Sequence, residues 1–213
     1  MKIDFVSDIA CPWCAVGLNA LEIALKNIGG DIPVELHFQP FELNPQMSPE
    51  GEDAVAYLSA KYGISAEQIA RNQAAIRERG AAVGFSFGTR ARVWNTFDAH
   101  RLLHWAGEEG PEGAQRSLKH ALLQAYHGQG HNPSDAEVLL GAAVSAGLDA
   151  ARAREVLGSD EFSAEVRQAE SFWQQAGSRS VPSVVVNDRH LIQGGQPPEV
   201  FEQALRQIAA EAG

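Results

Sequence analysis

The two cysteines of this chain occur in one short motif, and their placement limits the fold and the chemistry more than any other feature. Cys11 and Cys14 stand in a Cys-Pro-Trp-Cys run between a short β-prone segment, 2–7, and an amphipathic helical segment, 12–28. A thiol at the start of a helix faces unpaired backbone N–H groups and the positive end of the helix dipole, and both favour the thiolate. In such motifs the thiol pKa falls from about 8.5 to roughly 3.5–7.5. We therefore expect a reactive pair, with Cys11 exposed and Cys14 lying against the body of the helix.

The two residues between the cysteines keep both sulfurs within reach of a disulfide bond, so the pair is predicted to open and close. Two other interpretations stay open at this point: a fixed structural disulfide, and half of a zinc site. Structural zinc usually has four ligands, and the chain has no second cysteine pair to complete such a site. A redox pair is therefore favoured, and no metal is predicted. The histidines outside the motifs are assigned to surface or packing positions: His37, His104, His120, His127, His131 and His190.

Length and charge exclude several classes of protein. With 213 residues and 45% hydrophobic content, the chain can bury a sizeable core. It has no run of about 18 uncharged apolar residues that would span a membrane, and its first residues lack the apolar stretch of a secretory signal. We therefore expect a cytoplasmic protein. The net charge of −10 argues against nucleic acid or an anionic membrane surface as a partner. No apolar stripe is clean enough to argue a dimer, and the oligomeric state stays open.

Hydrophobic periodicity predicts a βαβ unit at the start of the chain. The strand 2–7 and the helix 12–28 are followed by a second strand, 34–43, in which apolar and polar residues alternate, and parallel pairing is expected. From about 52 to 176 the pattern is helical throughout, with Gly and Pro at the breaks. Seven helices are predicted there: 52–62, 66–80, 95–106, 111–127, 134–146, 149–157 and 160–176.

The sequence pattern of the C-terminal part predicts a β-hairpin followed by a final helix. Segments 183–186 and 190–193 are β-prone, and Asn187-Asp188-Arg189 between them is typical of a tight turn. The helix that follows Pro197-Pro198 is expected to bury one apolar set: Val200, Phe201, Leu205 and Ile208. Within the helical middle, capping boxes are predicted at two sites: Ser65–Gln68 and Ser134–Glu137.

These elements occur together with four sequence stretches: Ser7-Asp-Ile-Ala-Cys-Pro-Trp-Cys14, Val93-Trp-Asn-Thr-Phe-Asp-Ala-His-Arg101, Ser180-Val-Pro-Ser183 and Gly194-Gly-Gln-Pro-Pro-Glu-Val200. In this order they resemble the DsbA-like oxidoreductases of the FrnE type, relatives of the 2-hydroxychromene-2-carboxylate isomerases and the kappa-class glutathione transferases. The resemblance implies an α/β, thioredoxin-like fold (βαβ…ββα) with a large all-helical insertion. Residues 1–50 and 177–213 would form the thioredoxin-like domain, and residues 51–176 the inserted helical domain.

The resemblance also implies roles for the motif residues. Cys11 is expected to attack as a thiolate and form a mixed disulfide with the substrate, and Cys14 to attack that bond and release the product. Pro12 and Trp13 are expected to tune the reduction potential and to contact the substrate. First principles agree with the role of Cys11, because it stands at the start of the helix.

A proline just before the third strand is the second family element. The resemblance implies a cis Val181–Pro182 bond packed against the cysteines, which leaves the backbone of Val181 free to pair with an extended substrate. Without the resemblance, Pro182 would be a simple proline at the start of a strand, with a trans bond.

Four polar residues have open roles. In the family, the helical insertion near Asn95 and His100 overhangs the active-site cleft, so a cleft-lining, substrate-binding role is one hypothesis; helix capping and core hydrogen bonding are the alternative. A carboxylate near the buried thiol would relay protons during exchange, which makes Asp4 and Asp8 candidates. Asp4 either faces inward from the first strand or lies at a solvent-facing edge.

The function predicted from these residues is thiol–disulfide oxidoreductase or dithiol–disulfide isomerase activity on proteins or small molecules that carry thiols or disulfides. No bound cofactor is predicted, and glutathione is a candidate reducing co-substrate. One alternative is a glutathione-dependent isomerase or transferase of the 2-hydroxychromene-2-carboxylate type, although those relatives usually carry serine where Cys11 stands. They also tend to carry an acidic residue where this chain has Gln196-Pro197-Pro198. Another alternative is a partner-binding module without catalysis, which the intact cysteine motif and Pro182 argue against.

Overall fold

A computed structural model describes residues 1–212 of the chain. The chain begins with three elements: β1 (Lys2–Ser7), α1 (Pro12–Ile28) and β2 (Glu35–Pro40). β1 and β2 run parallel, with Ile3 opposite Leu36, so the predicted βαβ unit is confirmed. β2 is shorter than the predicted strand 34–43, because Pro40 has no N–H group for the ladder and already pairs with the last residue of β1.

The middle of the chain is built mainly from helices. Its elements in chain order are β3 (Glu52–Asp53), α2 (Ala54–Tyr62), α3 (Ala66–Ala82), β4 (Arg92–Val93), α4 (Phe97–Glu108), α5 (Ala114–Leu123) with a π-helical turn (Gln124–Gly128), α6 (Ala136–Ser145), α7 (Ala150–Leu157) and α8 (Ser163–Gln175). All seven predicted helices are present. Six of them begin one to three residues later than predicted, because capping residues lie outside the helix that they cap.

The middle segment is not entirely helical, which corrects one part of the predicted fold. β3 and β4 pair antiparallel, with Asp53 opposite Arg92. The Arg92 guanidinium also donates hydrogen bonds to the carbonyl oxygens of Glu50 and Gly51 at 2.8–3.2 Å, and so holds this extended segment in place. Two-residue strands carry too little periodicity to be recognised in a sequence. The predicted domain limits at 51 and 176 stay a prediction.

One predicted capping box is confirmed and the other is shifted. The Ser65 hydroxyl accepts a hydrogen bond from the Gln68 N–H at 3.2 Å, as predicted. At α6 the cap is Asp135, whose carboxylate accepts from the N–H groups of the second and third helical residues. The prediction that Ser134 caps this helix is wrong: its hydroxyl donates instead to the Asn95 carbonyl at 2.7 Å. The carboxylate of Asp135, one residue later, accepts hydrogen bonds from the free N–H groups at the start of the helix.

The C-terminal elements complete the sheet: β5 (Ser183–Val186), β6 (His190–Gln193) and α9 (Pro198–Ala212). The strand order is β2-β1-β5-β6, with β5 antiparallel to β1 and to β6, so the predicted thioredoxin-like fold is confirmed. In the hairpin turn, Asn187 and Asp188 have φ of +52° and +56°, the left-handed values that these residues tolerate best. Within residues 1–212, none of the helices has the length and apolar character needed to cross a membrane.

The face that α9 buries differs from the prediction at one residue. Phe201 and Leu205 are completely buried and Ile208 nearly so, but Val200 is 42% exposed, so its predicted burial is wrong. A residue adjacent to Phe201 lies about 100° further around a helix of 3.6 residues per turn, and this rotation moves Val200 off the buried face. The buried face of α9 packs against α1.

α1 approaches the proline loop so closely that only glycine fits at one position. A Cβ atom on Gly17 would lie 2.9 Å from Cγ of Pro182 and 3.3 Å from Cα of Gly195. The first contact is with a ring atom that has little freedom to move, and the second is with backbone. Gly17, one turn after Cys14, therefore sets the distance between the helix that carries the cysteines and the loop that faces them.

We expect Gly17→Ala to lower the free energy of unfolding by about 1–3 kcal/mol, because added atoms in a filled space force their neighbours apart. Urea denaturation measures this change. Gly141→Ala is the matched control: Gly141 is an exposed glycine inside α6, where an added Cβ atom would meet nothing within 4 Å, and this substitution should raise stability by about 0.5–1 kcal/mol. Equal effects of the two substitutions would contradict the close packing at Gly17.

Candidate active site

The cysteine pair lies at the start of α1, as predicted. Cys11 is the N-cap residue and Pro12 is the first helical residue, a position where a missing N–H group costs no hydrogen bond. The Cys11 N–H donates to the Asp8 carbonyl at 3.2 Å, and the Cys14 N–H donates to the Cys11 carbonyl at 3.1 Å. Both thiols are free. Among residues 1–212, no group of three or more His, Cys, Asp or Glu side chains is arranged to hold a metal ion.

The prediction that Cys11 is exposed is wrong. Cys11 is only 5% exposed, and Cys14 is completely buried. The Val181 carbonyl covers Cys11 and lies 3.5 Å from its Sγ atom, close enough to accept a hydrogen bond from the thiol. Cys11 nevertheless forms part of the wall of a large open cavity. A small molecule can therefore reach Cys11 from that cavity, whereas Cys14 lies behind it.

The two thiols have opposite acidities. The hydrogen bond with Cys14 lowers the pKa of Cys11, and this effect outweighs burial, which raises it. Burial raises the pKa of Cys14 well above that of an ordinary thiol, and the neighbouring Cys11 raises it further. Cys11 is therefore the more acidic thiol of the pair, and the Cys14 thiol is its hydrogen-bond partner.

Alkylation should distinguish the two cysteines. We expect iodoacetamide at pH 7 to modify Cys11 and leave Cys14 unmodified, since only the thiolate reacts and the pKa of Cys11 is lowered while that of Cys14 is raised. Tandem mass spectrometry of the peptide that contains both residues locates the label. Cys11→Ser should not move the label rapidly to Cys14, because Cys14 stays buried and burial is the largest cause of its raised pKa. Equal labelling of both residues in the native protein would contradict this asymmetry.

The proline loop faces the cysteine pair. The Val181–Pro182 peptide bond is cis, as the resemblance implied. Pro12 and Trp13 line the same cavity as Cys11, and Trp13 is 36% exposed. The structure thus brings Pro12, Trp13, Val181 and Pro182 together around the thiols, while their contacts with a substrate stay a prediction.

Asp8 is a buried carboxylate that joins the cysteine loop to two distant segments. It accepts hydrogen bonds from the N–H groups of Ala10 at 2.9 Å and Leu43 at 2.6 Å. The Thr96 hydroxyl donates to it at 2.8 Å, and the His100 ring nitrogen Nε2 lies at 3.4 Å. Burial raises the pKa of Asp8, but the hydrogen bond and charge of His100 and the two N–H groups outweigh it, so the pKa is lowered. Asp8 is therefore ionised beside the thiols, and its charge raises the pKa of Cys11.

Asp4 faces inward, which decides between its two predicted orientations. Its side chain is completely buried, with the Gln39 amide donating at 2.6 Å and the Lys2 ammonium 3.1 Å away. Side chains alternate across a strand, so Asp4 shares the face of β1 that carries Val6, which packs against Trp173. Residues on the opposite face of β1 pack against α1. Asp4 is therefore on the side of the sheet away from the helix that carries the cysteines, and Asp8 is the carboxylate next to them.

Asn95 and His100 do not line the large cavity, contrary to the cleft-lining hypothesis. The Asn95 side chain accepts from the Phe97 N–H at 2.8 Å, at the start of α4, and donates to the Met47 carbonyl at 3.1 Å. His100 is 2% exposed and faces Asp8. The geometry agrees with the alternative of capping and core hydrogen bonding, in which His100 supports Asp8 from behind the site.

Lys119 is a functional candidate that the sequence motifs did not single out, a lysine in α5 that is only 1% exposed. Burial lowers the pKa of this lysine to about 8, and its positive charge in turn lowers the pKa of Cys14. A signal was present in the sequence, because Lys119 occurs on the apolar face of the helix that also carries Leu118 and Leu122. A charged residue at such a position is rare unless it pairs with another polar or charged group in the interior.

A cavity of about 600 Å³ opens beside Cys11. One wall is the cysteine loop, residues 10–13, and the rest comes mainly from α2 and α3, with Arg90 and Val93. Its volume lies within the range of about 300–1,000 Å³ that is usual for small-molecule sites. Cys11 therefore borders a space that a small molecule can occupy.

The arrangement of a thiol at the start of a helix, a buried partner thiol and a facing cis proline agrees with the comparisons to known proteins. A model of the DSBA-like thioredoxin domain matches residues 2–206. The chain belongs to this family. The crystal structure of the probable DsbA oxidoreductase SCO1869 from Streptomyces coelicolor is 37% identical, with a TM-score of 0.91 over 99% of this chain and 91% of that chain.

Two further relatives extend the comparison. YwbO from Bacillus subtilis (strain 168), described as an uncharacterized protein, is 30% identical over 208 residues, which cover 96% of each chain. A 2-hydroxychromene-2-carboxylate isomerase structure is 15% identical, with a TM-score of 0.73 over 100% of this chain and 98% of that chain. At this identity the second similarity shows a shared fold. The predicted relationship to DsbA-like proteins is confirmed.

Proposed function

We propose that the protein is a thiol–disulfide oxidoreductase and dithiol–disulfide isomerase that works through Cys11 and Cys14. The Cys11 thiolate attacks a substrate disulfide, RS–SR′, forms a bond to one sulfur and releases R′S⁻. Cys14, once deprotonated, attacks the Cys11 sulfur; the Cys11–Cys14 disulfide forms and RS⁻ leaves. Two electrons pass from the dithiol to the substrate, and the reverse sequence oxidises a substrate dithiol. Isomerisation follows when a substrate thiol, instead of Cys14, breaks the mixed disulfide.

The observation that carries this proposal is the placement of two free thiols within one helical turn, with Cys11 on the cavity wall and Cys14 completely buried. A lowered pKa makes Cys11 the attacking group, and a raised pKa keeps Cys14 protonated until the mixed disulfide has formed. When Cys11 becomes part of that disulfide, its negative charge disappears, and with it the repulsion that raises the pKa of Cys14. Lys119 then favours the Cys14 thiolate.

We propose glutathione as the reducing co-substrate in a cytoplasmic setting. Two glutathione molecules would reduce the Cys11–Cys14 disulfide and leave as glutathione disulfide, so the electrons balance. Cytosolic glutathione holds a potential of about −220 to −320 mV, which keeps an oxidising dithiol in its reduced form. These conditions favour reduction and isomerisation of substrate disulfides, in proteins or in small molecules.

The reduction potential of the cysteine pair tests the proposal. The protein is equilibrated in glutathione redox buffers and followed by tryptophan fluorescence, since Trp13 stands between the two cysteines and should report their state. We expect one reversible two-electron transition. Cys11→Ser removes the disulfide and should abolish the transition.

A protein that shows no transition, yet binds glutathione equally well after Cys11→Ser, would contradict the proposal. That result would favour the glutathione-dependent isomerase, in which the reactive thiol belongs to glutathione. A transition that persists in Cys11→Ser would also contradict it, because the fluorescence change would then not come from this pair.

A further inference from the structure

The cavity beside Cys11 has a mostly apolar wall. Its apolar residues come from α2, from α3 and from the segments around them, and include Leu58, Ile64, Ile69, Ile76 and Val93, with the rings of Tyr57 and Tyr62. Trp13 continues this surface next to the thiol. Such a wall favours a ligand with an apolar or aromatic body, because burial of apolar surface is the main source of binding free energy.

The charges of the cavity all have one sign. The side chains that line it include two cations, Lys61 and Arg90, and no carboxylate. The chain as a whole has 27 acidic and 17 basic residues, so a cavity lined only by cations runs against its overall composition. The charge of Asp8 raises the pKa of Lys61, but Asp8 is completely buried and bonded to its own partners.

Neutral groups, and no carboxylate, hold both cations in place. The Lys61 ammonium donates to the Leu43 carbonyl at 2.9 Å and to the Asn44 side-chain oxygen at 2.6 Å, so its charge is not neutralised. Arg90 donates to the Ala10 carbonyl at 3.0 Å, next to Cys11. Its guanidinium therefore lies beside the residues where disulfide exchange would occur.

We propose that this cavity selects small-molecule disulfides or thiols that have an apolar or aromatic body and carry a negative charge. This inference rests on the proposed function and names its substrate class. The apolar body would lie against α2 and α3, and the anionic group would pair with the Lys61 ammonium in the cavity lining. Cys11 forms a bond with one substrate sulfur, and the other sulfur leaves as a thiolate anion. Arg90, at the cysteine loop, stabilises the negative charge that develops on this leaving sulfur.

A panel of three small disulfides tests the selection: 5,5′-dithiobis(2-nitrobenzoate), which is aromatic and anionic; 4,4′-dithiodipyridine, which is aromatic and neutral; and cystamine, which is aliphatic and cationic. Stopped-flow kinetics measures the rate of each with the reduced protein. Each rate is divided by the rate of the same disulfide with 2-mercaptoethanol, a thiol without any other charged group, which corrects for intrinsic reactivity. We expect the greatest acceleration for the anionic aromatic disulfide, and a decrease in this preference as ionic strength rises.

Two lysine variants show whether the preference arises in the cavity. Lys61→Met should lower the ratio of the anionic to the neutral rate by roughly three- to tenfold. Lys26→Met is the matched control: Lys26 is an exposed lysine in the last turn of α1, outside the cavity lining, and its substitution should leave this ratio unchanged. Equal acceleration of all three disulfides, a preference for cystamine, or a ratio that does not respond to Lys61→Met would overturn the inference.

Binding of an unreactive anion separates this inference from the proposed function. 2-Naphthoate should bind to Cys11→Ser and bind more weakly after Lys61→Met is added, as followed by titration calorimetry. If 2-naphthoate binds in this way but no disulfide reacts with the native protein, the proposed function fails and the anion site stands. If disulfides react without the expected selection and 2-naphthoate does not bind, the inference fails and the proposed function stands.

Discussion

Cys11→Ser is expected to lower the rate of disulfide exchange by about 10³-fold or more, because a serine hydroxyl stays protonated where the thiolate is the nucleophile. No second thiol can replace it: Cys14 is completely buried, and its pKa is raised. The rate is measured with a chromogenic disulfide under single-turnover conditions. The same substitution should leave the fold intact, because serine is nearly the same size.

Cys14→Ser is the matched control for this experiment. The variant retains Cys11, so the first attack should still occur, and the mixed disulfide should accumulate because the resolving thiol is missing. Mass spectrometry of the intact protein detects the added substrate group. Accumulation of a mixed disulfide in Cys11→Ser, and not in Cys14→Ser, would reverse the roles that the structure assigns.

Asp8→Ala should lower the free energy of unfolding by about 3–5 kcal/mol at pH 7, because it removes one member of a buried charged network. The buried N–H of Ala10 and the N–H of Leu43 would lose their acceptor, and the Thr96 hydroxyl and His100 would lose a partner. Urea denaturation measures the loss. Asp149→Ala is the control, since Asp149 is an exposed helix cap with one bond to the Arg152 N–H, and its removal should cost about 1 kcal/mol.

The loss caused by Asp8→Ala should depend on pH with a defined sign. The pKa of Asp8 is lower in the folded protein than in the unfolded chain, where an aspartate has a value of about 3.9. Its ionised form therefore stabilises the fold above that value, and this contribution disappears as the pH falls through the lowered pKa. The difference in stability between the native protein and the variant should shrink below about pH 4. A difference that grows as the pH falls would show that the folded state raises the pKa.

Local signals predicted the elements that local interactions build. The first helix was predicted at 12–28 and is found at Pro12–Ile28, because a proline opens it and a glycine pair follows its end. The hairpin turn was predicted from residues that tolerate a positive φ. Two wrong predictions each differ from the structure by one residue: the cap of α6 is Asp135 and not Ser134, and the buried face of α9 includes Phe201 but not Val200. The periodicity of a sequence marks a face or an end of a helix without resolving single residues.

The residues alone establish that a thiol pair stands at the start of a helix, and that strands and helices follow in a thioredoxin-like order. How that pair behaves depends on contacts that form when the chain folds. Val181, which covers Cys11, is 170 positions away along the chain, and Lys119, which acts on Cys14, comes from a helix of the middle segment. The pKa of a thiol depends on its burial and on nearby charges, and access to it depends on the walls around it. The motif and its neighbour Asp8 supply the hydrogen bond and one charge that act on Cys11. Distant segments supply the cover over Cys11, the Lys119 charge that acts on Cys14 and the walls of the cavity, and spacing within the motif does not encode these.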